Sequence, residues 1–158
     1  ADRVRESVFG ILTAVIPNAR VLDLYAGSGA LGIEALSRGG ASCTFVEQNR
    51  GACRVIAENL NKTGYKEGRV IQRDVGAFLN SEKTSYDLIF ADPPYADGLS
   101  DPARDLIAIE GWDQWLAKEG FLILEREAAG ELPDPKELVL VQSRDYGRSR
   151  IAIYQLES

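Results

Sequence analysis

The residues of this chain best placed to do chemistry close the stretch Tyr86-Asp87-Leu88-Ile89-Phe90-Ala91-Asp92-Pro93-Pro94-Tyr95. Asp92 offers a carboxylate and Tyr95 an aromatic ring. Pro93 and Pro94 between them supply no backbone N–H and have fixed φ, so the chain must leave this point extended and stiff, with its carbonyls exposed. Such a lip suits methyl transfer to an amine whose lone pair is delocalised, as on a nucleobase or a side-chain amide. That nitrogen is a poor nucleophile and carries two N–H donors. If the Asp92 carboxylate and the Pro93 carbonyl accept both hydrogens, the lone pair is aimed at an incoming methyl group. Tyr95 can then stack on the flat group that bears the nitrogen. A short motif of this kind also fits an ordinary proline-rich turn with Asp as turn-former, so the rest of the chain has to decide.

The elements that would position the lip can be read from periodicity. Leu88 to Ala91 is an unbroken apolar run, as expected of a strand buried on both faces, and ligands bind at the carboxyl ends of such strands in open α/β sheets. Upstream, Val21-Leu22-Asp23-Leu24-Tyr25 reads as a strand, followed by Ala26-Gly27-Ser28-Gly29-Ala30-Leu31-Gly32 and a helix over Ala30 to Arg38. Gly-x-Gly-x-x-Gly between strand and helix lets a ligand approach a helix N-terminus closely. A dinucleotide fold uses the same fingerprint. However, Asp23 lies four positions before the first glycine, where a carboxylate gives an anion-binding loop nothing and favours a ligand with a cationic amino end, such as the methionine part of S-adenosylmethionine.

Ala41 to Val46 is the second predicted strand, closed by Glu47. This acid follows Gly29 by 18 residues, close to the ~20 expected of the carboxylate that binds ribose hydroxyls in a βαβ unit. A helix over Arg50 to Lys62 follows, with Cys53, Val55, Ile56 and Leu60 as its inward face. Gly64 to Gly68 is a loop and Arg69 to Gln72 a third strand. Asp74 then stands where an acid can accept from an adenine amine, or cap the helix Val75 to Leu79, or both.

At the N-terminal end, apolar spacing predicts a helix over Arg3 to Val15. After the lip, Ala96 to Pro102 is a loop able to close over a substrate. Ala103 to Leu116 is expected to be a helix broken near Gly111, with Trp112 and Trp115 as packing residues. Gly120 to Glu125 is a fifth strand, Leu132-Pro133-Asp134-Pro135 a turn, and Glu137 to Gln142 with Ile151 to Leu156 a closing hairpin around Arg144-Asp145-Tyr146-Gly147-Arg148. Strands alternating with helices for five units before a hairpin predict an α/β fold. Its sheet is mostly parallel with an antiparallel last strand and helices on both faces.

Composition bounds the reading. At 158 residues with 45% apolar content the chain is expected to form one domain. No stretch approaches the roughly 20 apolar residues of a membrane-spanning helix. Cys43 and Cys53 have no usual zinc spacing and histidine is absent, so no metal site and reduced thiols in a cytoplasmic protein are expected. A net charge of −6 argues against a broad grip on nucleic acid. Arg3 and Arg5 near the start, and Arg144, Arg148 and Arg150 around Tyr146, form two local basic patches that fit either RNA contact or solvated surface.

With Asp23-Leu24-Tyr25-Ala26-Gly27-Ser28-Gly29, Glu47, Asp74 and Asp92-Pro93-Pro94-Tyr95 in hand, the chain resembles class I S-adenosylmethionine-dependent methyltransferases. It is similar in particular to the RsmD family, which methylates the exocyclic N2 amine of a guanine in small-subunit ribosomal RNA. The narrower resemblance rests on Arg3-Val4-Arg5-Glu6-Ser7-Val8-Phe9, on Ala26 through Gly39, and on Ile89 through Tyr95. It implies a seven-stranded Rossmann-like sheet and S-adenosylmethionine contacts at Asp23, Ala26, Gly27, Ser28, Gly29, Glu47, Gln48, Asp74, Val75 and Asp92. It further implies a catalytic turn at Asp92, Pro93, Pro94 and Tyr95, and substrate contacts at Arg5, Tyr95, Tyr146 and Arg148. The partner would be ribosomal RNA or an assembling small subunit, met by a monomer away from any membrane. Family members usually begin with a basic, proline-containing segment, and the chain begins without one.

Rival functions keep parts of this pattern. DNA adenine N6 as acceptor normally needs a target-recognition segment, for which there is little room. A protein glutamine amide more often goes with Asn in place of Asp92. An NAD-dependent oxidoreductase leaves Asp23 and the Pro-Pro lip unexplained, and a non-catalytic binding module leaves the intact motifs without a purpose.

Overall fold

The computed structural model describes residues 2–129, 131 and 135–158. Among the described residues six helices and seven strands are formed: α1 (Asp2–Leu12), β1 (Arg20–Leu24), α2 (Ala30–Ser37), β2 (Ser42–Glu47), α3 (Arg50–Thr63), β3 (Gly68–Gln72), α4 (Val75–Ser81), β4 (Tyr86–Ala91), α5 (Pro102–Ala108), α6 (Trp112–Trp115), β5 (Leu116–Glu127), β6 (Leu138–Tyr146) and β7 (Ser149–Leu156). The strands form a seven-stranded sheet in the order β3-β2-β1-β4-β5-β7-β6. By packing, the chain divides into two compact units, one ending at Ser81 and the other starting at Glu82.

In the first unit β1, β2 and β3 are parallel, with Leu24 opposite Val46 and Glu47 opposite Gln72. Burial follows the apolar pattern. Helix α1 buries Val4, Val8, Phe9 and Leu12 on one face. The helix was expected to reach Val15, but it ends at Leu12, and Val15 in the following turn is exposed. Helix α3 starts under a cap, Ala52 N–H donating to the Asn49 side chain at 2.9 Å, and stops at Gly64 with φ 76°. Its inward face is Cys53, Ile56 and Leu60; Val55, expected among them, is 41% exposed because it falls off that stripe. Both cysteines are free and buried. Burial, reinforced by the charge of Asp23, pushes the Cys43 thiol well above its ordinary pKa.

In the second unit β4 runs parallel to β5, β7 is antiparallel to β5, and β6 is antiparallel to β7. It follows that β7 alone runs against the other strands of this unit, as the hairpin pattern predicted. Leu88, Ile89, Phe90 and Ala91 are all buried, which accounts for their unbroken apolar run. The helix expected over Ala103 to Leu116 is two short ones. Ile109 is extended, Gly111 has φ 121°, and Leu116 already belongs to β5. Trp112 and Trp115 are buried edge-to-face at 5.4 Å, so their packing role holds. Glu137, expected to open a strand, instead accepts from the N–H groups of Gly111 (3.0 Å) and Trp112 (2.8 Å) at the start of α6. The segment Arg144 to Tyr146 is strand rather than connection, leaving a two-residue hairpin loop of Gly147, with φ 59°, and Arg148. The turn expected at Leu132-Pro133-Asp134-Pro135 lies, Pro135 apart, outside the described residues.

Close approach of α2 to the sheet depends on Gly32. A Cβ there would lie 2.4 Å from the Phe45 ring and 2.6 Å from Cys43 Sγ. Gly32→Ala should therefore lose about 1–3 kcal/mol of stability through overpacking, read as a lower urea midpoint with an unchanged m-value.

Candidate active site

The first unit carries the residues expected to hold a cofactor, and their carboxylates organise the backbone of the glycine loop. The chain leaves β1 through Tyr25 in the left-handed region at φ 56°, then Gly27 at φ 58° and Gly29 at φ 81°. Left-handed conformation in a non-glycine residue is a strained arrangement typical of functional turns. Asp23 is only 2% exposed, and its Oδ2 accepts from the Gly32 N–H in the first turn of α2 at 3.0 Å. Glu47 accepts from Gly27 N–H with one oxygen and from Asn49 N–H with the other, both at 2.9 Å. The Ser28 carbonyl accepts from the Asn59 side chain at 3.2 Å, and Ala26 N–H donates to the Val46 carbonyl at 3.1 Å. Asp23, Ala26, Gly27, Ser28, Gly29 and Glu47 are thus brought together in one hydrogen-bonded turn.

The three glycines serve different needs. Gly32 is required by packing, and a Cβ on Gly29 would press on Ile56 and Phe45. A Cβ on Gly27 would meet nothing within 4 Å, so Gly27 supplies the turn and leaves open space beside it. Arg73 N–H donates to the Glu47 carbonyl at 3.0 Å, which joins the end of β3 to the same rim. One step further on, Asp74 accepts from Ala77 N–H at 3.0 Å, so it caps α4 as one of its two expected roles. Gln48 is exposed, whereas Val75 is buried in the core of α4. Arg5 lies on α1, half-buried and engaged.

The second unit carries the lip. Ala91, the last residue of β4, is opposite Leu124 across the parallel pair, so Asp92 just past β4 follows it as Glu125 follows Leu124 in β5. Asp92 is solvent-exposed as a residue. Protein crowding one side of its carboxyl, and then the like charge of Glu125, push its pKa up to about 6. Tyr95 is 51% exposed, and its hydroxyl lies 3.3 Å from Ser149 Oγ, which also lies 3.3 Å from Glu125 Oε2. Ser149 pairs with Tyr146 across the hairpin, so the tip bearing Tyr146 and Arg148 sits at the same end of the unit as Tyr95. Of the basic patch, Arg150 is forked onto Asp145, at 2.8 Å from Nε, which holds the Asp145 carboxyl below its usual range. Arg144 and Arg148 are exposed.

The loop after the lip orders itself. Asp97 Oδ1 accepts from Leu99 and Ser100 N–H groups at 2.9 Å each, and these bonds depress the Asp97 pKa. Asp101 caps α5 and faces the buried Arg126 guanidinium at 3.6 Å. Glu125 and Ser149 were not singled out by sequence. The available signal was a charged residue, Glu125, closing the apolar run Phe121 to Leu124, while nothing marked Ser149 before the hairpin register was known.

Among the described residues no cluster of three or more His, Cys, Asp or Glu could hold a metal ion, and no helix is long and apolar enough to cross a membrane.

Comparison with known proteins places this geometry in context. Residues 1–155 match the family model described as Conserved hypothetical protein 95. The chain is 36% identical over 158 residues to the ribosomal RNA small subunit methyltransferase D of Escherichia coli (strain K12), covering 99% of this chain and 78% of that protein. A conserved hypothetical protein from Streptococcus pyogenes superposes with a TM-score of 0.84 at 28% identity, over 97% of this chain and 95% of its own. The protein SMU.776, complexed with SAH, shares the fold, with a TM-score of 0.77 at 14% identity, over 96% of this chain and 49% of its own.

The raised Asp92 pKa gives a stability prediction with a definite sign. The folded carboxyl binds its proton more tightly than the unfolded one, so ionisation costs the native state, and this cost grows from about pH 4 and is complete above about pH 6. Asp92→Asn should therefore raise the melting temperature at pH 7, with the two melting curves converging as the pH is lowered towards 4.

Proposed function

The chain belongs to the family described as Conserved hypothetical protein 95, the RsmD family, and on that premise we propose that it methylates the exocyclic N2 amine of a guanine in small-subunit ribosomal RNA, with S-adenosylmethionine as methyl donor. The observation that carries the reading is Asp92. It is a carboxylate at the end of a buried strand, locked by two prolines and held near pKa 6, with an exposed tyrosine three residues on. The wider reading, a monomer acting in the cytoplasm on naked RNA or an assembling subunit, belongs to the same proposal.

The first unit fits the donor. Open space beside Gly27 admits a ligand to the loop, and the carboxylates that shape the loop are of the type that suits its polar ends. Glu47 would hold the ribose hydroxyls, Asp74 the adenine amine, and Asp23 with the Ala26 to Gly29 turn the amino-acid end, while exposed Gln48 would stand at the rim and buried Val75 would support it from the start of α4. When bound, S-adenosylmethionine supplies an electrophilic methyl group on a sulfonium. The remaining chemistry belongs to the lip. The Asp92 carboxylate and the Pro93 carbonyl accept the two N–H hydrogens of the guanine amine and so aim its lone pair. Pro94 keeps the turn stiff, and Tyr95 stacks on the base. Methylation makes the nitrogen a strong acid, so no strong base is needed. A carboxylate of pKa about 6 takes its proton more readily than an ordinary aspartate would. Arg5, Tyr146 and Arg148 would meet the RNA around the base.

The test is methyl transfer from labelled S-adenosylmethionine to small-subunit rRNA and partly assembled subunits, followed by nucleoside analysis. N2-methylguanosine is the expected product. Asp92→Ala should lower kcat by about 10²–10³-fold, as for loss of a group acting on the transition state, with donor affinity almost unchanged. Equal loss of turnover and donor binding would remove Asp92 from this role, and label appearing on DNA or protein instead would replace the acceptor.

A further inference from the structure

Tyr95 presents a mechanical problem. A tyrosine that is 51% exposed on a loop can swing about χ1, and a swinging ring is a poor stacking platform because ordering it consumes binding energy. The hydroxyl end is where it can be held. Ser149 Oγ stands 3.3 Å from Tyr95 Oη and 3.3 Å from Glu125 Oε2. A serine hydroxyl has one proton and an ionised carboxylate only accepts, so Ser149 donates to Glu125 and must accept from Tyr95. The direction of the whole chain is then fixed, from the tyrosine O–H to the serine oxygen and from the serine O–H to the carboxylate.

The acceptor at the end of the chain is also selected. In the β5–β7 register the residue directly opposite Ser149 is Glu127, not Glu125. Glu127 is engaged instead by the buried Arg126, at 3.2 Å from Nη2. Glu125 is left as the carboxylate that serves Ser149, and its charge also acts on the Asp92 carboxyl. One side chain thus bears on both functional parts of the lip, on Tyr95 through Ser149 and on Asp92 through its charge.

Building on the methyl-transfer reading above, we infer that Ser149 and Glu125 are positioning residues that clamp the Tyr95 ring as a pre-set stacking platform for the acceptor base. Neither touches the reacting atoms. Ser149 acts through the orientation of Tyr95, as Glu125 does apart from its charge on Asp92, and the clamp belongs to the free protein before any base arrives.

Two measurements on the full chain test this. The first is aromatic ¹³C relaxation of the tyrosines, with the Tyr95 signal assigned by its loss in Tyr95→Phe. The ring should be ordered in the native chain and should gain mobility in both Ser149→Ala and Glu125→Ala, each of which removes one partner of the chain. Melting curves identify any variant that fails to fold, in which case the other one gives the reading. An equally ordered ring in a folded variant would overturn the inference. The second is a double-mutant cycle in the methyl-transfer assay. Ser149→Ala should lower kcat about tenfold, the equivalent of one lost hydrogen bond, without weakening donor binding. Ser149→Ala added to Tyr95→Phe should cost nothing further, since the hydroxyl it serves is already gone. Additive losses would show that Ser149 acts elsewhere and would sink the clamp. If the native chain labels no guanine, the proposed function falls, while the relaxation measurement still decides the clamp because it needs no acceptor.

Discussion

A carboxylate taken out of water has to be hydrogen-bonded, and Asp23 meets that requirement with the Gly32 N–H in the first turn of α2. Much of the first unit follows from this one bond. It draws the start of the helix down onto the strands, an approach that only a residue without a Cβ at position 32 allows against Phe45 and Cys43. With the helix held there, the intervening residues must turn within a few positions, and Tyr25, Gly27 and Gly29 take left-handed backbone to do so. Glu47 then finishes the arrangement from the next strand by receiving the Gly27 N–H.

Acidic residues therefore do different work at the glycine loop and at the lip. Asp23, Glu47 and Asp74 are stabilised by backbone N–H donors and shape or cap the segments around them. Such loops are preorganised, so a ligand need not order them on arrival. Asp92 is in the opposite condition. Its surroundings disfavour its charge, which is a cost to the fold and an advantage to a group that must accept a proton. A residue held against its own preference, while others are held with theirs, is the usual signature of a stability–function trade-off.

Much of this was legible in the sequence because the signals were redundant. The strand–glycine–helix order, the acid 18 residues past Gly29 and the apolar run into Asp92 each pointed to a parallel α/β sheet, and β7 running against its neighbours followed from the closing hairpin. What sequence could not give was the second partner of each polar group. Asp23 reads equally well as a ligand for a cation or as an anchor for Gly32, since spacing does not reveal which donor a carboxylate faces. Apolar type alone points Val55 inward whatever its position on the helix, and the pairing of Arg150 with Asp145 runs across a hairpin whose register sequence does not reveal. Ser149 carried no signal at all. Its importance comes from lying between two residues that are distant in sequence, and that is information only the fold contains.

The placement of β7 has a consequence for the order in which the molecule can be made. It is the last strand in the chain, yet it lies between β5 and β6 and pairs with both. During synthesis from the N-terminal end, β5 lacks one neighbour and β6 lacks its only one until residues 149–156 have emerged, so these pairings are late, long-range closures. Ser149 is the first residue of that strand. Tyr95 is synthesised more than fifty residues before the hydroxyl it meets, so a nascent chain can contain its entire lip and still lack the group that steadies it.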